Sequence, residues 1–227
     1  MSLLVWTVAF LPGIFWLVYL CRQDRDNPEP IWLVALVFGA GALIALPVGL
    51  AEKLVSGNLG VNAVENAADA ATVGWLVNGF MEEAAKFGVV MGVVYYRSHF
   101  DEPLDGIVYA AAAALGFASL ENVISIYRMG PAALFIRGPM STAGHMLFSS
   151  IWGYALGKAR FDPEGRLSML SRGFVLAAFF HGLYDFLVFT RLAMAGALYF
   201  LSALLWAMLG RMIKDAKSRA PESPAEE

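Results

Sequence analysis

The stretch GWLVNGFMEEAAKFGVVMGVVYY, residues Gly74 to Tyr96, is apolar enough to cross a membrane but carries charged residues near its middle. Those residues are Glu82, Glu83 and Lys86. One charge at the centre of a membrane helix costs roughly 2.5–3.5 kcal/mol to insert, so three charges facing lipid would cost about 8 kcal/mol. We therefore expect the three side chains to face the protein interior, where they neutralise one another.

The composition is that of an integral membrane protein. Of the 227 residues, 59% are hydrophobic and 15% are charged, and the mean hydropathy is +0.61. The net charge of -3 offers no basic surface for nucleic acid, so no nucleic-acid partner is expected. The single cysteine, Cys21, excludes an intramolecular disulfide and any CxxC metal or redox motif.

The apolar runs predict an all-α, polytopic membrane protein with about seven spans. A span needs about 20 residues to cross the hydrocarbon core, and its backbone groups must pair within the helix. The first run lacks a basic start and a small-residue cleavage site, so we expect it to be retained as a helix. The predicted spans lie near residues 3–20, 31–51, 74–96, 104–127, 140–157, 172–190 and 193–213.

Four regions follow from this division. Residues 1–72 hold two spans and an outer segment, 51–72, that is either an amphipathic helix at the interface or a surface loop. Residues 73–190 form a four-helix core, residues 191–213 a last span, and residues 214–227 a polar, disordered tail. The small residues of Ala110–Gly116 favour close helix packing.

The distribution of Lys and Arg predicts that the N-terminus lies outside and the C-terminus in the cytoplasm. This orientation puts eleven basic residues on the cytoplasmic side and four on the outer side. The cytoplasmic set is Arg22, Arg25, Arg97, Lys158, Arg160, Arg166, Arg172, Arg211, Lys214, Lys217 and Arg219, and the outer set is Lys53, Arg128, Arg137 and Arg191.

Ionisable residues in the cores of the predicted spans are confined to the four core helices and form one layer. At about 1.5 Å per residue, five of them lie about 8–14 Å below the outer boundary, although successive helices run in opposite directions. These five are Glu82, Glu121, His145, His181 and Asp185. Lys86 shares a helix face with both glutamates, and His181 and Asp185 form an i,i+4 pair. The members of this layer are Glu82, Glu83, Lys86, Glu121, His145, His181 and Asp185.

This layer has more negative than positive groups, and the excess negative charge must be neutralised. Four carboxylates against one ammonium would leave about -3 in a medium of low dielectric, which requires protonation or a bound cation. Two neutral imidazoles and a carboxylate match the donors of a catalytic zinc site with an open position for water. Without a metal, a protonated glutamate can act as a general acid or base. Both alternatives lead to an activated water molecule.

Four motifs on successive helices resemble those of the PrsW family of intramembrane proteases. They are MEEAAK from Met81, FASLEN from Phe117, HMLFSSIWGYALG from His145 and HGLYDF from His181. The resemblance covers about residues 75–189, and the combination is more specific than any single motif. The family is similar to the CAAX prenyl endopeptidases and to the APH-1 subunit of γ-secretase, which share a four-helix core.

The resemblance implies an endopeptidase of the bacterial inner membrane that cuts a single-pass membrane protein, typically an anti-sigma factor, on the extracytoplasmic side. It implies that Glu82 and Glu83 are the essential pair, one of them activating water. His145 and His181 become metal ligands or oxyanion stabilisers. The implied metal is Zn²⁺, held by His145, His181, Glu121 and Glu82, while Asp185 orients His181 or the substrate carbonyl, and Lys86 and Asn122 support the site.

Two other functions are compatible with buried polar groups. One is a noncatalytic scaffold like APH-1, which the presence of both glutamates argues against. The other is a cation-coupled transporter, which would use the carboxylates as a relay. No inverted repeat or Gly/Pro-broken helix pair is visible in the sequence, and this favours the protease.

Overall fold

Helices make up all of the regular secondary structure in the computed structural model, which describes residues 3–130, 132–191 and 196–219. In chain order they are α1 (Leu3–Cys21), α2 (Ile31–Asn58), α3 (Ala67–Ala71), a π-helical segment (Thr72–Glu82), α4 (Glu83–Val93), α5 (Pro103–Met129), α6 (Ala132–Phe161), α7 (Arg166–Phe189) and α8 (Ala197–Lys217). Five of them, α1, α2, α5, α7 and α8, are long and apolar enough to cross a membrane. The predicted all-α polytopic fold is confirmed.

The other two predicted spans are helical but differ in detail from the expectation. The third span is the π-helical segment followed by α4, and the two meet between Glu82 and Glu83. The fifth is α6, which starts at Ala132, eight residues before the predicted start at residue 140. Gly138 and Pro139, which usually favour turns, thus lie within the first turns of α6.

The helices at the outer segment and at the C-terminus also differ from their predicted bounds. Helix α2 continues to Asn58, seven residues beyond its predicted end at residue 51. Asn66 then caps the short α3 by accepting hydrogen bonds from two backbone N–H groups. Helix α8 extends through Lys217, and residues 220–227 of the predicted tail lie outside the described residues.

Helix α5 is the central helix of the bundle. Every residue from Pro103 to Leu120 is buried, and α5 packs against α1, α2, α4, α6 and α8. The outside of the bundle carries exposed apolar side chains such as Leu43, Tyr199 and Phe200, as contact with lipid requires. A polar group on the buried half of α5 therefore faces neighbouring helices.

Glycine lets three helices approach α5 at backbone distance. A Cβ atom added at Gly106 would lie 2.2 Å from the carbonyl oxygen of Gly153 on α6. On α2, a Cβ at Gly41 would lie 2.1 Å from the carbonyl oxygen of Ala113. Gly13 of α1 would meet Leu115 in the same way, at 3.1 Å. The predicted close packing along Ala110–Gly116 is thus present.

We expect Gly41→Ala to destabilise the protein by about 1–3 kcal/mol, since the added methyl group would overlap backbone that cannot move aside. Thermal unfolding in detergent measures the effect. Gly39→Ala is the matched control, because it lies on the same helix and a Cβ there meets no atom within 4 Å. Equal melting temperatures for the two variants would contradict the close packing of α2 on α5.

Candidate active site

One buried ammonium group joins the acidic and imidazole side chains that the sequence analysis singled out. Lys86 is fully buried, and its Nζ lies 3.0 Å from Glu82 Oε2 and 2.9 Å from Glu83 Oε1. The same Nζ lies 3.0 Å from Nδ1 of His145 on α6. Because lysine has three donors and no acceptor, these contacts satisfy it. The three charged residues of the opening stretch thus face one another, away from lipid.

Glu83 accepts hydrogen bonds on both of its oxygens. Its Oε1 lies 2.9 Å from Lys86 Nζ and 2.8 Å from His181 Nδ1. Its Oε2 accepts from Ser149 Oγ at 2.6 Å and from the indole N–H of Trp152 at 2.8 Å. A carboxyl group that receives four donors must be in its ionised, acceptor-only form. Glu83 is therefore locked between α4, α6 and α7.

Glu82 has a different environment, although it is the neighbouring residue. It is also buried, at 3% exposure, but its Oε2 accepts a hydrogen bond from Lys86 alone among the described residues. The same oxygen lies 3.6 Å from His145 Nδ1 and 3.7 Å from His181 Nε2. Glu82 thus points at both imidazoles without being fixed by either of them.

The contact between His181 and Glu83 determines which ring nitrogen of the neutral His181 carries the proton. Its Nδ1 is 2.8 Å from Glu83 Oε1, so in the neutral ring Nδ1 carries the proton and Nε2 is an acceptor. That Nε2 faces Glu82 Oε2 across 3.7 Å. Two acceptors that face each other need a shared proton or a cation between them. Phe148 stacks on the ring of His181 at a centroid distance of 4.9 Å and holds it in this position.

Three side chains of this group could together hold a metal ion. Glu82, His145 and His181 each offer one ligand atom within 4.8 Å of the others, and all three residues are buried. Two imidazoles and a carboxylate are the protein ligands of many catalytic zinc sites. The contact between His181 Nδ1 and Glu83 is of the kind by which a carboxylate orients a metal-binding histidine.

Glu121 contacts the Nε2 atom of His145, whereas Lys86 and Glu82 face its Nδ1 atom. Its Oε2 is 3.0 Å from His145 Nε2, and its side chain is 24% exposed. Next to it, a cavity of about 270 Å³ opens between α2 and α5. Glu121 thus connects His145 to a space that water can enter. The cavity is lined by Ala45, Gly49, Glu52, Phe117, Glu121, Ile124, Ser125, Arg128 and Met129.

Asp185 and Asn122 hold neighbouring helices together. Asp185 accepts a hydrogen bond of 2.6 Å from Asn78 of the π-helical segment. Asn122 donates to Thr142 Oγ1 at 3.0 Å and to the carbonyl oxygen of Ala9 at 3.2 Å. Each of these two residues thus links neighbouring helices beside the site.

The π-helical segment presses closely on α7. A Cβ added at Gly74 or Gly79 would lie 2.8 Å or less from backbone carbonyl oxygens of α7, and a Cβ at Gly182 would overlap Trp75. The indole of Trp75 also donates to the carbonyl oxygen of Phe179 at 3.0 Å. π-Helical turns are rare and are frequently found at functional sites. Here the segment ends at Glu82, within the site.

Three contributing residues were missed by the sequence analysis. Trp152 is a largely apolar residue within a predicted span, so its hydrogen bond to Glu83 could not be inferred from the sequence. Ser149 was given no role in the site by the sequence analysis. Glu52 was assigned to the outer segment, but on the longer α2 it lines the same cavity as Glu121.

Comparison with known proteins identifies the family of the chain. Residues 29–210 match the model of a family described as PrsW family intramembrane metalloprotease. A Protease PrsW of Geobacillus kaustophilus is 35% identical over 210 residues, covering 92% of this chain and 90% of the relative. A Protease PrsW of Bacillus subtilis is 33% identical over 217 residues, covering 93% and 95%. No solved structure matches the chain.

The class of protein is thus that of the intramembrane proteases, multi-pass membrane enzymes that hydrolyse peptide bonds. Within that class, the chain belongs to the PrsW family. The resemblance inferred from the four motifs is confirmed, and so is the prediction of a protease. The scaffold and transporter alternatives lose their basis, because the relatives are named as proteases.

We expect Lys86→Met to destabilise the protein by about 3–5 kcal/mol, since it leaves Glu83 and Glu82 buried without their cation. The melting temperature in detergent reports this loss. Lys53→Met is the control, because that lysine is exposed. If Lys86→Met melted like wild type, the ammonium would not be the group that neutralises the site.

Proposed function

We propose that the protein is an intramembrane endopeptidase that cuts a single-pass membrane protein of the anti-sigma-factor type on the extracytoplasmic side. The observation that carries this proposal is the meeting of Glu82, Glu83, His145 and His181 around one buried lysine. Family membership supports proteolysis, and the distribution of Lys and Arg in the loops supports the N-out orientation in the bacterial inner membrane.

We assign different roles to the two adjacent glutamates. Glu83 is the positioning residue, because its four donors leave it no free lone pair for chemistry, and it fixes the ring of His181. Glu82 is the catalytic carboxylate, because it faces both imidazoles and has spare acceptor capacity. A water molecule beside Glu82 can give its proton to this carboxylate as it attacks the substrate carbonyl.

Zinc is the metal that this donor set would hold, through Glu82, His145 and His181. When bound, it would activate water and polarise the scissile carbonyl. Lys86 keeps Glu82 in place, and Glu83 sets the tautomer of His181 so that Nε2 points toward Glu82. In the metal-free alternative, Glu82 acts as general base, and His181 donates from Nε2 to the developing oxyanion once that nitrogen is protonated.

Water and the unwound substrate backbone reach the site from the cavity between α2 and α5 in this proposal. Glu121 lies between that cavity and His145 Nε2, where it can pass a proton to and from the imidazole. Glu52 and Arg128 line the opening and offer polar contacts to an extended peptide. Asn78 and Asp185 brace the π-helical segment against α7.

Glu82→Gln is expected to lower cleavage of a co-reconstituted single-pass substrate at least about 100-fold, with a smaller fall in melting temperature than Glu83→Gln. Glu83→Gln removes the acceptor for two of four donors, which costs about 3 kcal/mol of stability or more. Cleavage is followed by gel, with Glu65→Gln, an exposed outer residue, as control. Wild-type cleavage by Glu82→Gln would refute the assignment of this residue.

Removal of zinc is expected to abolish cleavage, and addition of zinc to restore it. Metal analysis of the purified protein should find about one zinc per chain, and His145→Ala with His181→Ala should lose it. If the wild type contains no zinc and cuts at the same rate in the presence of a chelator, the zinc mechanism is wrong and the glutamate-only mechanism remains.

A further inference from the structure

A second group of buried acids lies at the opposite end of α5. Asp24 of the α1–α2 connection meets Glu102 and Asp105 at the start of α5, and one oxygen from each lies within 4.8 Å of the others. Their exposures are 2%, 8% and 0%. Asp105 and Glu121 are 16 residues apart on the same helix, so the two sites are separated by about 24 Å. This group is therefore independent of the candidate active site.

Two oxygens of this group have no hydrogen-bond partner. Asp24 Oδ2 and Asp105 Oδ1 are both buried and unbonded, whereas Asp105 Oδ2 accepts from the backbone N–H groups of Asp101 and Glu102 at 2.8 Å each. An unbonded, buried carboxylate oxygen costs free energy that a native fold normally recovers through a partner. Asp105 also faces Glu29, and Asp24 faces Glu102, so these paired carboxyl groups need a shared proton or a bound cation.

The part of the chain that the structure describes provides no such charge at contact distance. Its ion pairs at 4.0 Å or less include none to Asp24, Glu102 or Asp105. Lys217 of α8 lies close enough to lower the pKa of Asp24, but burial outweighs it and raises that pKa above its usual range. Burial also raises the pKa of Glu102, to about 7, and that of Glu29, which accepts from Tyr109, to about 7.

We propose that Asp24, Glu102 and Asp105 form a binding site for a divalent cation of the Mg²⁺ and Ca²⁺ class. Carboxylate oxygens without nitrogen or sulfur donors are the ligands that such hard cations prefer. The cation would tie the α1–α2 connection to the start of α5, where Asn27 already donates to Asp101 at 2.8 Å. In the N-out orientation proposed above, this site faces the cytoplasm. The proposal does not depend on proteolysis.

The test is thermal unfolding of the purified full chain in detergent, first in EDTA and then with MgCl₂, CaCl₂ or MnCl₂ from about 0.1 to 10 mM. A cation that binds only the folded state raises the melting temperature, and we expect a rise of about 3 °C or more. The arm that gives the rise at the lowest concentration identifies the cation. No rise with any of the three would overturn the proposal.

Asp24→Asn supplies the second measurement, because Asp24 Oδ2 is unbonded and Asn has the same shape. In EDTA, this variant should melt at or above the wild-type temperature, since one of three crowded charges is gone. With cation, it should melt below the wild type and require at least about tenfold more cation for its shift. A variant that responds to cation as the wild type does would exclude the site.

Two further variants keep the result interpretable. Glu164→Gln removes a charge from an exposed residue at the α6–α7 turn and should respond like the wild type. Glu102→Gln replaces Asp24→Asn if that protein does not fold, with the same expected loss of cation response. Any metal at the candidate active site is common to all of these proteins, so a difference between them reports on the acidic group alone.

Discussion

The fold and the candidate site both depend on the charge of one lysine in a medium of low dielectric. Lys86 neutralises Glu83 and Glu82 at hydrogen-bond distance and also donates to His145 on another helix. Without it, each carboxylate would need a proton or another cation, and an ionised carboxylate that faced lipid would cost several kcal/mol. The ammonium group therefore favours the orientation in which the polar side of the third span faces the bundle interior. In this orientation the span contacts α6 through His145 and α7 through His181.

The junction between two helix types explains how adjacent glutamates acquire different environments. The π-helical segment ends at Glu82 and α4 begins at Glu83, so the pair lies where the backbone changes its hydrogen-bonding pattern. Close contacts of Gly74 and Gly79 with α7 keep the segment in place. Glu83 is thereby turned toward Ser149 and Trp152, while Glu82 remains open to the imidazoles. One carboxylate can thus position groups while the other reacts.

Sequence reasoning could predict the polar layer because membrane insertion penalises charges strongly and helix periodicity is simple. It placed Glu82, Glu83, Lys86, His145 and His181 together, and the structure brings them within hydrogen-bond or near-contact distance. It could not predict the role of Trp152, since an apolar residue on an apolar helix shows no periodic signal. The π-helical segment was equally hidden, because its apolar residues fit an α-helix as well. The start of α6 was missed because Gly138 and Pro139 are normally turn signals.

The two ends of α5 solve the same electrostatic problem in different ways. Near Glu121, the carboxylates lie beside a lysine and two imidazoles of the same chain, and the lysine offsets part of their negative charge. Near Asp105, three buried carboxylates meet, and two oxygens lack any partner among the described residues. Burial would force protons onto such a group unless positive charge arrives from outside. A cation bound there would hold the α1–α2 connection to the start of α5. Because α5 packs against most of the other helices, the same contact would help to hold the position of Glu121 at its far end.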